Sequence, residues 1–424
     1  MLRSLEVNSE IPSAVLLKHT RLIVLCLLIA ASIVGCKSKN DDVQGDIDRL
    51  RSLGYMGGYR PPQKDDSQVP TQESKMQPGY TLVTTGHAPA AYLLNAQEKI
   101  VHTWEMPFEK LFPDFKVQPE HEKIELPGFW RHATLLPNGE LLVIFEGLAL
   151  AKLDRDSHVL WAKQNGAHHD LEVQPDGGVL VLTRTAEVRD DKAILLDYLS
   201  YLKSDGTEEK KISLLNLLLN SEEGRKILGK KLLRGDVLHS NSVQTLSPAA
   251  LAHFPAAKPG DVLVSFRNIS SLAIIRPSTG EVVWGFRGDF RRQHYARIAP
   301  DGASLVLFDN MGAGKHTSRV LRYSWPEMKL LESIGSTALH AKEFTSRSLG
   351  VVQPLENGNL LITESEGGHV FELDGARTII WKYTSPYRTG DGNRLIATVP
   401  HAIRVPLAAV DSWLQKPEAS AKGK

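Results

Sequence analysis

The sequence predicts an all-β protein, a six-bladed β-propeller with short helical insertions. Its 424 residues are 42% hydrophobic and 23% charged, a globular composition long enough for one large all-β domain. From residue 79 onward an apolar strand, a Pro-Asn-Gly or Pro-Asp-Gly turn and a second apolar strand recur, and several of these units end in Trp. A lone four-stranded blade cannot bury both of its faces, whereas a ring of repeated blades does.

The repeated unit can be followed through the chain. Asn-Gly and Asp-Gly provide residues with positive φ for tight hairpin turns, and alternating apolar positions on both sides predict half-buried strands. Unit one, which starts at Tyr80, is the loosest, and the five later units start at Ala133, Leu171, Asn241, Ala296 and Val351. Four units end in a tryptophan that we expect to pack between blades: Trp104, Trp161, Trp284 and Trp381.

The first 35 residues resemble a bacterial lipoprotein signal peptide. Lys18 and Arg21 precede an apolar run of about 13 residues, Leu22–Val34, which is too short to span a bilayer as a helix. Gly35 and Cys36 follow, and small residues before a cysteine are typical of a lipobox. We expect cleavage before Cys36 and lipid anchoring through its thiol, with ordinary secretory cleavage or an uncleaved anchor as alternatives. The protein would then face the periplasm of a bacterial cell envelope, at the outer rather than the inner membrane because position 37 is not Asp.

The remaining sequence divides by composition. Residues 36–78 contain few apolar residues and predict a flexible tether, residues 79–410 the propeller, and residues 411–424 a polar C-terminal tail. Two insertions interrupt the repeat. Residues 106–131 carry four prolines and predict an irregular loop. Residues 206–236 predict a helical hairpin, with Asn220 and Glu223 as a capping box, which is either an inert decoration or a lid over one mouth of the propeller.

Charge and cysteine content exclude several classes of protein. Lys and Arg total 50 against 49 Asp and Glu, a net charge of +1 with no long basic run, so nucleic-acid binding is not expected. The two cysteines are Cys26, in the leader, and Cys36. The mature chain therefore has no intramolecular disulfide, thiolate metal site or cysteine nucleophile.

Histidines recur at equivalent places in the repeat. His169 and His294 each lie six residues before the proline of their turn, His132 lies five before its proline, and His239 lies two before the start of unit four. The first strand of each blade lines the central channel, so we expect these imidazoles to converge at one channel mouth, with Arg267 beside them. Convergent His and Arg side chains suit an anionic ligand, and a neutral imidazole suits proton transfer and nucleophilic attack. A structural role for each histidine is the alternative.

Metal binding is the alternative functional role of these histidines. Three imidazoles suit zinc, but neighbours on a strand point to opposite faces, so only one of His168 and His169 reaches the centre. We expect that one to be His169. Because the Arg267 guanidinium disfavours a cation nearby, we expect no metal.

The motifs around these residues resemble the arylsulfotransferase family over about residues 130–400. The matching phrases are HHDLEVQPDG at 168–177, HSNSV at 239–243, LVSFR at 263–267, TGEVVW at 279–284, QHYAR at 293–297 and LFDN at 307–310. The family consists of bacterial, periplasmic, six-bladed propeller enzymes that do not use the nucleotide sulfate donor. Its known members have a disulfide near the site, which the mature chain cannot form.

The resemblance implies ping-pong transfer of a sulfuryl group from an aryl sulfate ester to a phenol through a sulfohistidine, without a cofactor. His294 would be the nucleophile, and His239 and Arg267 would bind the sulfuryl oxygens. His169 would complete the site. Contacts to the substrate are expected from four further residues: His132, His168, Asn241 and Asn310.

Two other functions remain open at the level of the sequence. The Thr-Gly-x-x-x-Trp phrase also occurs in quinoprotein-type propellers, including envelope scaffolds, so a non-catalytic lipoprotein that scaffolds proteins or binds a ligand is one alternative. A scaffold has no need of His239, Arg267 and His294 in one channel, so their distance apart discriminates. An aryl sulfate hydrolase, in which water replaces the phenol, is the other alternative.

Overall fold

The computed structural model describes residues 61–62, 69–115, 128–230, 233–312, 317–336, 339 and 343–414. The predicted leader over 1–35, Cys36 and most of the tether lie outside the described residues. Within the described ranges, no helix has the length and apolar character needed to cross a membrane.

Six sheets form the blades, which confirms the predicted propeller. Each sheet contains four antiparallel strands, and the third sheet also has a short fifth strand that is parallel to its neighbour. Blades 1 to 3 contain these strands: β1 Tyr80–Thr84, β2 Ala90–Leu94 and β3 Ile100–Glu105; β4 His132–Leu135, β5 Leu141–Phe145, β6 Ala149–Leu153 and β7 Val159–Lys163; β8 Ala167–Val173, β9 Val179–Arg189, β10 Lys192–Leu202 and β11 Glu208–Ser213, with β12 Gly235–Asp236 beside β10. Blades 4 to 6 contain these strands: β13 Ser240–Thr245, β14 Val262–Phe266, β15 Ser271–Arg276 and β16 Glu281–Arg287; β17 His294–Ile298, β18 Ser304–Asp309, β19 Arg319–Ser324 and β20 Leu330–Ile334; β21 Val351–Pro354, β22 Leu360–Glu364, β23 His369–Leu373 and β24 Ile379–Thr384.

Blade 1 is closed by the C-terminal part of the chain. After a small hairpin of β25 (Arg388–Thr389) and β26 (Leu395–Ile396), strand β27 (Ala402–Val405) pairs antiparallel with β1. This fourth strand explains why unit one is the loosest of the six in sequence. The first and last strands of the propeller thus pair in one sheet, which joins the two ends of the ring.

The first strands of neighbouring blades contact one another around the ring. Strand β13 contacts β8 on one side and β17 on the other, and β17 contacts β21. These inner strands are positioned by apolar side chains of the blades behind them, such as Val264, Leu307 and Ile362, which are fully buried in the cores between blades. The starts of the inner strands therefore face one another at one end of the propeller.

The tryptophans pack between blades, as predicted. The indole Nε1 of Trp161 donates to the Ser204 carbonyl oxygen at 2.9 Å, and that of Trp381 donates to the Ala96 carbonyl oxygen at 3.0 Å. In each case a fourth strand contacts a turn of the next blade. Trp104 is fully buried, and Trp284 lies edge-on to Trp325 with ring centroids 5.2 Å apart.

The short helices fall outside the repeat. They are α1 Phe108–Leu111, α2 Leu214–Asn220, α3 Glu222–Leu228, α4 Pro248–His253 and α5 Asp411–Leu414. The hairpin of α2 and α3 confirms the predicted helical insertion, but the predicted capping box of Asn220 and Glu223 is wrong. Ser221, not Asn220, caps α3, because its Oγ accepts from Gly224 N at 2.8 Å.

Three segments differ from the sequence prediction in detail. The range 206–236 begins with strand β11, whose largely exposed Glu-Glu-Lys-Lys sequence lacks the apolar pattern of the other strands. The end of the predicted tether packs on the propeller, where Met76 is buried and Gln72 N donates to Ile380 O at 2.9 Å. Trp413, at the start of the predicted tail, is buried beside Trp104.

Candidate active site

Three histidines from three blades lie side by side at the starts of the inner strands. The ring centroid of His169 lies 4.9 Å from that of His239 and 5.8 Å from that of His294. All three side chains are buried. The convergence predicted from the repeat is therefore present for three of the four histidines, whereas His132 packs against His401.

Irregular backbone at the strand starts brings these rings together. His169, His239 and Tyr295, the neighbour of His294, have φ of 56°, 51° and 52°, in the left-handed region that non-glycine residues rarely adopt. The pairing register shifts at the same places in β8, β13 and β17. Such bulges re-aim side chains and are concentrated at functional sites.

The imidazole of His294 is held through one of its two nitrogens. Its Nδ1 lies 2.7 Å from Asn310 Oδ1 and 2.9 Å from the Arg292 carbonyl oxygen, two acceptors. Its Nε2 is buried and has no hydrogen-bond partner among the described residues. Burial, followed by the charges of Arg267 and Arg131, holds the pKa of His294 well below its ordinary value, so the ring is neutral at physiological pH.

The imidazole of His239 pairs with a carboxylate. Its Nδ1 makes a short hydrogen bond to Asp236 Oδ2, from β12. Burial lowers the pKa of His239, and the negative charge of Asp236 opposes that shift. Burial would raise the pKa of Asp236, but His239 and nearby arginines more than offset it and leave it at about 2. The carboxylate is therefore ionised, and it favours a proton on His239.

Arg267 follows β14 and lies next to this pair. Its backbone N donates to the His239 carbonyl oxygen at 3.1 Å, and its guanidinium donates to Asn268 Oδ1 at 2.7 Å. Its positive charge lowers the pKa of both His239 and His294. The predicted group of His169, His239, His294 and Arg267 is thus one cluster.

His168 and His169 are both buried, and their ring centroids lie 5.2 Å apart, so the two neighbours do not point to opposite faces as predicted; the positive φ of His169 interrupts the alternation of the strand. The ring of His169 faces His239 and His294, whereas His168 lies behind it, with 3.0 Å between their Nδ1 atoms. His168 Nε2 lies 3.8 Å from Asp197 Oδ1. Of the two rings, that of His169 lies against His239 and His294, as expected from the sequence. The roles of His169 and His168 toward a substrate stay predictions.

A buried carboxylate and two arginines complete the surroundings of His169. Glu146 Oε1 lies 3.3 Å from His169 Nδ1, and Arg184 and Arg131 lie 3.4 and 3.8 Å from the Glu146 carboxylate. Sequence reasoning missed these three residues and Asp236. Glu146 directly follows the second strand of its blade, as Arg267 does, so this repeated position was the available signal.

Two asparagines of the predicted site contact protein rather than open space. Asn310 is fully buried, and its Nδ2 donates to the carbonyl oxygens of Ser346 and Leu349, each at 2.7 Å. Asn241 Nδ2 donates to the carbonyl oxygen of Gln293 at 2.6 Å. Both amides therefore hold the backbone and side chain around His294.

His132 lies in a second buried group, deeper along the inner strands. Its ring stacks on that of His401 with centroids 4.0 Å apart, and its Nδ1 lies 3.6 Å from Asp170 Oδ1. Arg297 pairs with Asp170 at 2.7 Å and covers the ring of Tyr295 at 3.7 Å. His401 was also missed by sequence reasoning. It lies five residues before Pro406, as His132 lies five before Pro137.

Three side chains lie close enough together to hold a metal ion. Ligand atoms of Glu146, His168 and His169 all lie within 4.8 Å of one another. The guanidinium groups of Arg131 and Arg184 flank the same carboxylate, and their charge disfavours a cation there. The cationic and neutral hydrogen-bond donors of this site instead suit an anionic ligand.

Comparison with known proteins identifies one matching family. The model described as arylsulfotransferase (ASST) matches residues 208–386, which include His239, Arg267, His294 and Asn310. No curated protein matches the chain.

Solved structures share the fold only distantly. A protein of unknown function from Bacteroides caccae is 13% identical, with 72% of this chain and 93% of that chain covered and a TM-score of 0.49. A virginiamycin B lyase from Staphylococcus aureus is 10% identical, with 76% and 89% covered and a TM-score of 0.41. These similarities do not indicate a function. The chain is thus similar to the arylsulfotransferase family over residues 208–386, and it has the six blades that the repeat predicted.

Proposed function

We propose that this protein transfers a sulfuryl group from an aryl sulfate ester to a phenol by a ping-pong mechanism, through a sulfohistidine on His294. The observation that supports this most directly is the state of the His294 ring. Its Nδ1 is held by two acceptors, and its Nε2 is buried without a hydrogen-bond partner in the described part of the chain, beside the other site histidines. An oriented, neutral imidazole with one available nitrogen is a nucleophile.

In the first half-reaction the aryl sulfate binds with its sulfonate among Arg267, His239 and His169. The negative charge of the donor raises the pKa of His239, whose Nδ1 already faces the Asp236 carboxylate, so His239 binds a proton. His294 Nε2 then attacks sulfur. The nitrogen–sulfur bond forms as the bond from sulfur to the phenolic oxygen breaks. The leaving phenolate oxygen takes its electron pair and accepts the proton of His239.

In the second half-reaction an acceptor phenol replaces the first phenol. His239, now neutral, removes the hydroxyl proton as the phenolic oxygen attacks the sulfohistidine sulfur. The nitrogen–sulfur bond breaks, its electron pair returns to His294 Nε2, and the new aryl sulfate leaves. His239 therefore donates one proton in the first half-reaction and takes one up in the second.

The cationic donors contribute by stabilising charge that develops on the sulfuryl oxygens. As in phosphoryl transfer, most of that charge lies on the equatorial oxygens, and fixed donors in a water-poor site stabilise it effectively. Arg267 supplies a permanent positive charge, and His169 lies 5.8 Å from His294 by ring centroids, which suits a donor on the far side of the sulfonate.

The transfer is tested with the full-length chain and 4-nitrophenyl sulfate, by following nitrophenolate release with and without added phenol. We expect release that depends on phenol, with formation of phenyl sulfate, and we expect His294→Ala to abolish it. His253→Ala, which removes an exposed imidazole from α4, is the matched control and should leave the rate unchanged. Release that does not need phenol would identify a hydrolase, and no release from several aryl sulfates would identify a binding propeller.

We also propose that the protein is anchored to the bacterial envelope through Cys36. The support is the lipobox pattern at the end of the apolar run. Incorporation of a labelled fatty acid in the native host should occur in the wild type and disappear in Cys36→Ser. Equal labelling of both would refute the anchor without bearing on catalysis.

A further inference from the structure

The three site histidines differ in the group that faces their second nitrogen. His239 Nδ1 faces the carboxylate of Asp236, and His169 Nδ1 lies 3.3 Å from the carboxylate of Glu146. His294 Nδ1 instead faces the side-chain amide of Asn310 at 2.7 Å. Among the described residues, His294 is thus the one ring of the three whose Nδ1 lies beside a side-chain amide and not beside a carboxylate, although His169 Nδ1 also lies 3.0 Å from Nδ1 of His168.

The orientation of the Asn310 amide is fixed by its other contacts. Its Nδ2 donates to two carbonyl oxygens, those of Ser346 and Leu349, each at 2.7 Å. A carbonyl oxygen only accepts, so the amide nitrogen must face these two and Oδ1 must face His294. Because Oδ1 also only accepts, His294 Nδ1 carries the hydrogen and Nε2 keeps its lone pair.

The same two carbonyls exclude a carboxylate from this position. An Asp side chain would place an oxygen against the oxygens of Ser346 and Leu349, with no donor to either. The fold therefore enforces an uncharged partner for His294, independently of the composition of the rest of the site.

The charge of that partner decides what happens to the sulfohistidine. When Nε2 bonds to sulfur and Nδ1 keeps its hydrogen, the ring is positively charged, and the group released in the second half-reaction is a neutral imidazole. A carboxylate in the place of Asn310 would attract the Nδ1 proton and favour release of an imidazolide anion, which is a much poorer leaving group. An amide oxygen cannot take this proton.

We propose that Asn310 is a positioning residue that selects His294 as the nucleophile and keeps the sulfohistidine in its transferable, Nδ1-protonated form. This rests on the proposed function and reassigns Asn310 from the substrate contact implied by the sequence. In the same scheme the carboxylates make His239 and His169 proton carriers and anion donors. The different roles of the three histidines thus follow from the amide of Asn310 and the carboxylates of Asp236 and Glu146.

The first test reads the tautomer of the resting protein and needs no turnover. Histidine-selective ¹⁵N NMR, with the His294 signals assigned by comparison with His294→Ala, should show a protonated Nδ1 and an unprotonated Nε2 across neutral pH. In Asn310→Ala the Arg292 carbonyl oxygen, 2.9 Å from Nδ1, is the acceptor that remains, so the Nε2-protonated tautomer should become detectable beside the Nδ1-protonated one. A proton on Nε2 in the wild type would overturn the inference even if the protein transfers sulfuryl groups.

The second test compares rates against a matched buried amide. Asn359, 6% exposed, donates to Glu372 and the Lys75 carbonyl oxygen in blade 6, away from the histidines, so Asn359→Ala controls for general loss of stability. We expect Asn310→Ala to slow nitrophenolate release about 10- to 100-fold, as removal of outer-shell partners does elsewhere. Asn359→Ala should leave the rate of the folded protein unchanged. Equal rates for the two variants would contradict the inference, whereas inactivity of the wild type would count only against the proposed function.

Discussion

At the scale of single residues, the site works through pairs in which a second group sets the state of a histidine. Asp236 favours a charged His239, and Asn310 keeps His294 neutral and oriented. Arg267 and Arg131 oppose protonation of His294 by their charge. In the proposed mechanism the same side-chain type therefore acts as nucleophile and as proton carrier within one cluster, because the neighbours of the two rings differ.

The pair of His239 and Asp236 predicts a dependence on the leaving group. Asp236→Asn removes the charge that raises the pKa of His239, so the protonated form is lost at a lower pH and the alkaline limb of the rate profile moves to lower pH. We expect about a 100-fold loss with phenyl sulfate, whose phenolate needs protonation, and less than about 10-fold with 4-nitrophenyl sulfate.

The control for this change is Asp156→Asn, in a surface turn where Asp156 lies 3.5 Å from the exposed Arg155. It should alter neither rate. Equal losses with the two donors in Asp236→Asn would show that Asp236 acts on folding or binding and not on proton transfer to the leaving group.

At the scale of elements, the inner strands carry chemistry because their starts are irregular. Residues with φ near 50° to 56° and shifted pairing occur in β8, β13 and β17 at the histidines. Each such residue costs on the order of 1–3 kcal/mol, which the packed blades behind it offset. The outermost strand pair of each blade also has a register shift, but that shift lies near the turn that joins its two strands and away from the histidines.

A buried ion pair joins β27, the closing strand of blade 1, to β23 of blade 6. Arg404 Nη2 lies 2.7 Å from Glu372 Oε2, and their side chains are 2% and 0% exposed. Removing one partner with Glu372→Ala leaves a buried charge, so we expect a loss of about 3–5 kcal/mol in the free energy of unfolding, measured in urea. The double variant Glu372→Leu with Arg404→Met should lose less.

A solvent-accessible pair provides the comparison. Glu140 and Lys152 lie 2.6 Å apart across neighbouring strands of blade 2, with side chains 24% and 15% exposed. Glu140→Ala should cost under about 1 kcal/mol. If Glu372→Ala cost no more than Glu140→Ala, the ion pair would not be what secures the closing strand.

The sequence predicted the elements that carry turn signals and missed those that do not. Strand pairs around Pro-Asn-Gly or Pro-Asp-Gly were found, whereas β11 has exposed charged residues and β27 lies at the far end of the chain from the sheet it completes. The histidine positions could be predicted because they repeat with the strands. Their partners were missed for two reasons: Asp236 precedes His239 by three residues but lies in β12, outside the repeated unit, and Glu146 lies 23 residues before His169 and reaches it through the pairing of neighbouring blades.

At the scale of the whole molecule, charge is nearly balanced but unevenly placed. The net charge is +1, yet Arg131, Arg184 and Arg267 surround the histidines against the carboxylates of Glu146 and Asp236. A buried site with a local positive surplus concentrates anions without making the whole protein basic. This matches an anionic substrate and the absence of a basic surface run.

Inorganic sulfate should therefore stabilise the folded protein against heat. At ten times its dissociation constant, sulfate adds about 1.4 kcal/mol to the free energy of unfolding, which raises Tm in a thermal shift measurement. Sodium chloride at equal ionic strength should not do so. Arg267→Met should remove the shift, and Arg155→Met, which changes an exposed arginine with a 50% exposed side chain, should keep it. A shift of equal size in all three proteins would mean that sulfate acts on the surface and not in the site.

The most direct test of the central claim is to find the sulfuryl group on His294. The full-length chain would be incubated with 4-nitrophenyl sulfate without acceptor, digested with trypsin at neutral pH and analysed by mass spectrometry. Cleavage after Arg292 and Arg297 isolates a five-residue peptide whose single histidine is His294. We predict one sulfuryl group on that histidine, retained in Tyr295→Phe and lost on addition of phenol. A sulfuryl group on another residue, or one that phenol does not remove, would contradict the account.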